Sequence, residues 1–84
     1  MDVAETRKFE VIKGLVEKFQ QQYQVVTIDG ARVEFPDGWF LVRASNTEPS
    51  LTTRFEAETP ERLEEIKGIL RDALQAYPDV HANF

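Results

Sequence analysis

One short stretch, Arg43-Ala44-Ser45-Asn46-Thr47-Glu48 followed by Pro49, gathers a guanidinium, two hydroxyls, a carboxamide and several backbone N–H groups. Only one carboxylate stands among them. A phosphate dianion offers many acceptor lone pairs and no donors, so such a stretch matches what it needs. The Arg43 fork can pair with two oxygens at once, Ser45 and Thr47 can each donate an O–H, and Asn46 can donate from its amide. Successive N–H groups from Ala44 to Thr47 can form an anion-binding concavity. Each charge-assisted bond is worth ~1.5–3 kcal/mol, enough together to hold a phosphate, though not tightly in open water.

The same residues also suit an ordinary Asx or ST turn between two strands, with Arg43 paired to Glu48. Composition leaves both readings open, and with them the role of Glu48, which either orients Arg43 or faces solvent. Arg54 is the nearest other cation in sequence. With Arg43 opposite Ser50 in a hairpin, Arg54 falls near Trp39, a place for a solvated strand residue rather than a phosphate ligand.

The elements that must hold this stretch follow from periodicity. From Thr6 to about Tyr23, apolar residues at Phe9, Ile12, Leu15/Val16, Phe19 and Tyr23 keep helical spacing, which leaves Arg7, Lys8, Glu17 and Lys18 for the wet side. Asp2 and Glu5 stand in the relation of a capping box, with Thr6 as a competing cap. Gln24–Ile28 is a β-branched run ending in the turn signal Asp29-Gly30, and Arg32–Phe35 alternates up to a second turn, Pro36-Asp37-Gly38. Trp39–Arg43 continues as a strand. A two-residue turn at Asp37-Gly38 would set Phe35 against Phe40 and Val33 against Val42.

Beyond the polar stretch, Ser50–Glu58 alternates, with Leu51, Thr53, Phe55 and Ala57 on one face. Thr59-Pro60 opens a last helix, threonine as N-cap and proline at the first helical position. Its stripe is Leu63, Ile66, Ile69/Leu70, Ala73/Leu74 and Tyr77, and Tyr77-Pro78 ends it. Val80–Phe84 is a candidate short extra strand.

This order predicts an α+β fold, an antiparallel sheet of about four strands with two helices packed on one face. The predicted core is Phe9, Ile12, Phe19, Val33, Phe35, Phe40, Val42, Leu51, Phe55, Leu63, Ile66 and Leu70. Sheet parity leaves Trp39 and Leu41 on the face away from the helices, either as innocent exposed residues or as a surface that packs on something else.

The bulk properties narrow the partners. The 84 residues make one small domain, and 42% hydrophobic with 30% charged residues is ordinary for a globular chain. Without cysteine there are no disulfides, zinc thiolate sites, iron–sulfur clusters or cysteine nucleophiles. No apolar run reaches the ~20 residues of a membrane span, and the N-terminus is polar rather than signal-like, so the expected setting is cytoplasmic and free of membrane. A net charge of −5 without a basic stripe argues against nucleic acid. A small anion needs only local donors. The one histidine, His81, lies in the tail, placed for exposure rather than for service as a base, and by itself makes no metal site.

Taken with its flanks, the polar stretch resembles a known family. The run Asp29-Gly-Ala-Arg-Val-Glu-Phe-Pro-Asp-Gly-Trp-Phe-Leu-Val-Arg-Ala-Ser-Asn-Thr-Glu-Pro49, followed by Arg54-Phe-Glu-Ala-Glu-Thr59, is similar to the C-terminal domain of the α-D-phosphohexomutases. That superfamily holds the phosphomannomutases and phosphoglucomutases, with the phosphoglucosamine and phosphoacetylglucosamine enzymes as relatives. The DG-x-x-V hairpin, the G-W-x-L-V-R strand and the R-x-S-N-T-x-P loop match in order and spacing, and the likeness spans essentially the whole chain.

The resemblance implies a four-domain parent of which this chain is the fourth domain, excised or expressed alone, with a TATA-binding-protein-like sheet and helices on one side. It implies that Arg43, Ser45, Asn46 and Thr47, with the backbone of Ala44, bind the phosphate of a hexose phosphate. The parent's reaction would be reversible phosphoryl transfer between the 1- and 6-positions through a bisphosphorylated intermediate. That chemistry needs a phosphoserine from the first domain, and an Asp-x-Asp-x-Asp motif in the third for the Mg²⁺ expected in the parent. Neither is present here, so this chain is expected to carry no catalytic residues, no metal and no cofactor of its own, and to work with the other three domains. The alternative is a free-standing protein-interaction module of the same fold, docking through Trp39 and Leu41.

Overall fold

Alternation along the strands sends every second side chain to one face of a sheet, and that is the face on which both helices bury their stripes. The computed structural model describes residues 1–84. Strands β1 (Gln24–Val26), β2 (Ala31–Phe35), β3 (Gly38–Ala44) and β4 (Leu51–Ala57) form one antiparallel sheet in the order β1-β2-β3-β4. Helix α1 (Lys8–Phe19) packs against β1, β2 and β3, and helix α2 (Pro60–Ala73) against β3 and β4. The fold is α+β, as the order of elements predicts.

The registers differ from expectation by two residues, which preserves the faces because the strand period is two. Phe35 pairs with Gly38 and Val33 with Phe40, so the two-residue turn is Pro36-Asp37 rather than Asp37-Gly38. The reason lies in packing. A Cβ on Gly38 would run into the Glu56 carbonyl and the Ile66 side chain, so the glycine serves the ladder and not the turn. Asp37 is in turn tied to α2 by the Arg62 guanidinium, 2.9 Å away. The expected turn at Asp29-Gly30 forms, with Gly30 at φ +91°. Strand β1 stops at Val26, which leaves Ile28 in the connection at 95% exposure.

The core centres on Phe40, with the rings of Phe19, Phe35 and Phe55 at 5.3, 6.1 and 6.4 Å. Val33, Val42, Leu51, Ile66 and Leu70 are buried around it, as expected. Ile12 and Phe55 are half-buried against this core, and Leu63 is half-buried. Phe9 is a correction: it is 67% exposed. Helix α1 is turned by one residue from its expected phase, burying Lys8, Val11, Leu15 and Phe19. Apolar residues cover two adjacent sides of this helix, so periodicity alone does not fix its rotation.

Both termini depart from expectation. No capping box forms at α1, whose N-cap is Arg7 without a side-chain bond. Asp2 instead bridges to Ser50, and the flanking bonds Val3 N to Pro49 O (2.9 Å) and Leu51 N to Met1 O (2.7 Å) lay the first residues beside the start of β4. This inserts Val3 into the core. Helix α2 starts as predicted, with Thr59 accepting from Arg62 N at 3.1 Å and proline at the first helical position, and ends in a 3₁₀ turn, Leu74–Ala76. No strand forms at Val80–Phe84. Val80 is buried, and Phe84 lies 4.9 Å from the Phe55 ring while its carbonyl accepts from Arg71 at 2.6 Å.

Arg7 clasps Asp79 with two bonds, at 3.0 and 3.2 Å, joining the start of α1 to the C-terminal segment. These bonds hold the Asp79 carboxyl below its ordinary pKa. As pH falls the unfolded chain therefore takes up this proton first. The clasp's contribution is complete above the ordinary carboxylate pKa of about 3.9 and is lost as pH drops through the lower folded value. The stability difference between the parent chain and Asp79→Asn, read by urea unfolding, is expected to shrink as pH falls below about 4. A difference that is flat with pH would contradict this account.

Candidate functional site

Ala44 at the end of β3 pairs with Leu51 at the start of β4, so residues 45–50 form the connection between β3 and the edge strand β4. The Ser45 N–H bonds to the Ser50 carbonyl (3.0 Å), closing the loop at its neck, and the Ser50 N–H bonds to the Glu48 carbonyl (2.8 Å). From beneath, Lys8 Nζ donates to the Ser45 carbonyl at 2.6 Å and approaches the Glu48 carbonyl at 3.5 Å, while Glu5 pairs with the same ammonium at 2.9 Å. Lys8 is 2% exposed, against the expectation that it faces water. A lysine can be buried this way because carbonyl oxygens and a carboxylate replace its hydration.

The donors of the loop are left over. The hydroxyls of Ser45 and Thr47 and the amide of Asn46 make no hydrogen bond within the chain. Nor do the backbone N–H groups of Asn46, Thr47 and Glu48. Asn46, Thr47 and Glu48 are exposed, while Ser45 is half-buried. The side-chain bonds that an Asx or ST turn requires are absent, and the loop is shaped instead by Lys8 and the N-terminal segment.

Arg43, on the sheet face away from the helices, leans towards the β1–β2 connection and pairs with Asp29 at 3.5 Å. It does not pair with Glu48, whose side chain faces solvent. The β3–β4 register places Arg43 opposite Thr52 and Arg54 opposite Leu41. Arg54 thus sits on the same face as Arg43 and diagonal to it, nearer the loop than expected. Trp39 and Leu41 lie on this face as predicted, both half-buried, and the Arg32 guanidinium lies over the Trp39 ring at 4.2 Å.

The loop stands on open surface. None of the chain's three concavities includes any residue from Arg43 to Glu48, and the one nearest, lined by Asp2, Val3, Ala4, Pro49, Asp79 and His81, touches only Pro49. An arrangement of this kind can meet an anion from one side. It has no walls with which to enclose one.

The chain is similar to known proteins over most of its length. Residues 1–73 match the family model described as phosphoglucomutase/phosphomannomutase, C-terminal domain. The chain belongs to that family. It is 49% identical over 75 residues to a phosphomannomutase/phosphoglucomutase of Pseudomonas aeruginosa, covering 88% of this chain and 16% of that protein. A phosphoglucomutase of Neisseria meningitidis is 45% identical over 73 residues, or 84% of this chain and 16% of the other. The crystal structure of a phosphoglucomutase/phosphomannomutase family protein from Burkholderia thailandensis superposes with a TM-score of 0.81 at 40% identity, over 92% of this chain and 18% of that one. The chain thus spans about a sixth of the length of these relatives, and as a phosphoglucomutase/phosphomannomutase C-terminal domain it has the expected sheet with helices on one face. No helix is long and apolar enough to cross a membrane.

Lys8 is the residue that sequence reasoning missed. The signal lay in its spacing to Val11, Leu15 and Phe19, which puts it at the head of the face that is buried. A charged residue at that position reads as solvent-facing until the acceptors that bury it are known.

Proposed function

We propose that this chain is the substrate-phosphate anchor of a phosphohexomutase. In this reading the loop from Arg43 to Thr47 grips the phosphate that is not reacting. The other domains, in a cytoplasmic enzyme, move a phosphoryl group between the 1- and 6-positions of a hexose phosphate. The observation that carries the reading is the set of unpartnered donors at the β3–β4 connection, two hydroxyls, one carboxamide and three backbone N–H groups, which follow Arg43 at the end of β3. An anchor that reads phosphate and little of the sugar serves both substrate orientations, and its contribution is positioning.

The open setting of the loop supports weak binding by the chain alone, with a Kd of ~mM or above, because the remainder of the grip comes from closure of a cleft by the other domains. The residues here do not fit a metal: no group of three His, Asp or Glu side chains is placed to hold one. In this reading, as the family resemblance implies, the Mg²⁺ and the phosphoserine of the parent's chemistry belong to the other domains, and the chain alone has a non-catalytic role.

Titration of the ¹⁵N-labelled chain with glucose 6-phosphate tests the reading. The amides of Arg43–Thr47 are expected to move first, and shifts confined to the helices would sink the site assignment. The second reading, a module docking a protein through Trp39 and Leu41, has less support, since Arg32 already covers the Trp39 ring.

A further inference from the structure

Lys8 is the one charged side chain buried in the molecule, and the phosphate-anchor reading leaves it unused. A buried ammonium is costly unless fully partnered, so its partners define its task. Two of the three are main-chain oxygens of the loop itself, Ser45 at 2.6 Å and Glu48 at 3.5 Å, and the third is Glu5. The chain has no cis peptide bond. The Ser45 carbonyl and the Asn46 N–H therefore lie on opposite edges of one planar unit. An ammonium that holds the oxygen on the inner side turns the Asn46 N–H to the outer side, where it has no acceptor in the chain. The same contact polarises the peptide, because a carbonyl bonded to a cation makes the N–H of its own unit a stronger donor.

We infer that Lys8 is the positioning residue of the loop, fixing and polarising the Ser45–Asn46 peptide so that its N–H is presented to a bound phosphate that Lys8 itself does not touch. The inference rests on the phosphate-anchor reading. It also couples the loop to the docking of α1, since Lys8 is that helix's first residue. Glu5, largely exposed, supplies the third partner without crowding the outer side.

Lys8→Met keeps the buried stem and removes the ammonium. In titrations of the ¹⁵N-labelled chain with glucose 6-phosphate and with inorganic phosphate, it is expected to weaken both at least ~10-fold, the cost of leaving a loop carbonyl unpartnered and the N–H unaligned. The Asn46 amide proton of the free variant is expected to move upfield, and Lys8→Arg, which restores a cation under the same carbonyl, to recover part of the affinity. Binding by Lys8→Met within ~2-fold of the parent chain overturns the inference and leaves the anchor reading standing. Loop amides of the parent chain that respond to neither ligand overturn both. Should Lys8→Met lose its dispersed spectrum, the Lys8 ¹⁵Nζ resonance of the parent chain decides. It is expected to shift together with the Asn46 amide, and a resonance that stays fixed while the loop amides move overturns the inference.

Discussion

Arg43→Ala is expected to abolish the shifts that glucose 6-phosphate induces in the Arg43–Thr47 amides while leaving the fold intact. The guanidinium can give a phosphate two parallel charge-assisted bonds, each worth ~1.5–3 kcal/mol. Losing both weakens binding by roughly 100-fold or more, which takes a ~mM interaction beyond detection. Stability should hardly change. Arg43 is 39% exposed, and its ionic partner is an exposed Asp29 at 3.5 Å. A pair of that kind contributes ~0–1 kcal/mol. The measurement is a titration paired with a thermal melt of the same variant. Shifts that persist at parental size in a folded Arg43→Ala chain would remove the arginine from the site.

Phe40→Ala should have the opposite profile, a large loss of stability with no direct effect on the loop's donors. Phe40 is fully buried between the two helices, with an edge-on contact to Phe19 at 5.3 Å and tilted contacts to Phe35 and Phe55. Truncating a buried phenylalanine costs ~3–5 kcal/mol through lost transfer free energy and the cavity left behind. A domain of this size has a total stability of roughly 4–13 kcal/mol. The Tm is therefore expected to fall by about 15–35 °C, or the cooperative transition to vanish at room temperature. A Tm lowered by less than about 5 °C would show that the aromatic cluster is not the centre of this core.

Much of this molecule is legible before any coordinates. The alternation of β2, β3 and β4 predicts which side chains face the helices, and that prediction survives a two-residue change of register in both hairpins. Thr59-Pro60 marks the start of α2 through chemistry confined to one turn. Asp29-Gly30 marks its turn because only glycine takes the positive φ at no cost. The polar stretch Arg43–Glu48 likewise stands out by composition. These are local properties, and local physics is what residue order displays.

What the order does not display is anything settled by a distant partner. Phe9 and Lys8 are equally available to the buried face of α1, and the carbonyls of Ser45 and Glu48, 37 and 40 residues away, decide for Lys8. The Asp2–Glu5 capping box gives way to pairing of Asp2 with Ser50 and of Glu5 with Lys8, because a bridge to β4 and a buried ammonium outweigh one helix cap. The hairpin turn moves off Gly38 because Glu56 and Ile66 need its missing side chain. The sequence by itself determined the α+β order, the inward faces of the strands and the stretch that carries the donors. Only the tertiary structure decided which donors are free, since whether a hydroxyl or an N–H is already satisfied depends on every group the fold brings within 3 Å of it. At this loop it brings a lysine to two carbonyls, the Ser50 carbonyl to the Ser45 N–H, and nothing to the two hydroxyls, the Asn46 amide or the N–H groups of Asn46, Thr47 and Glu48.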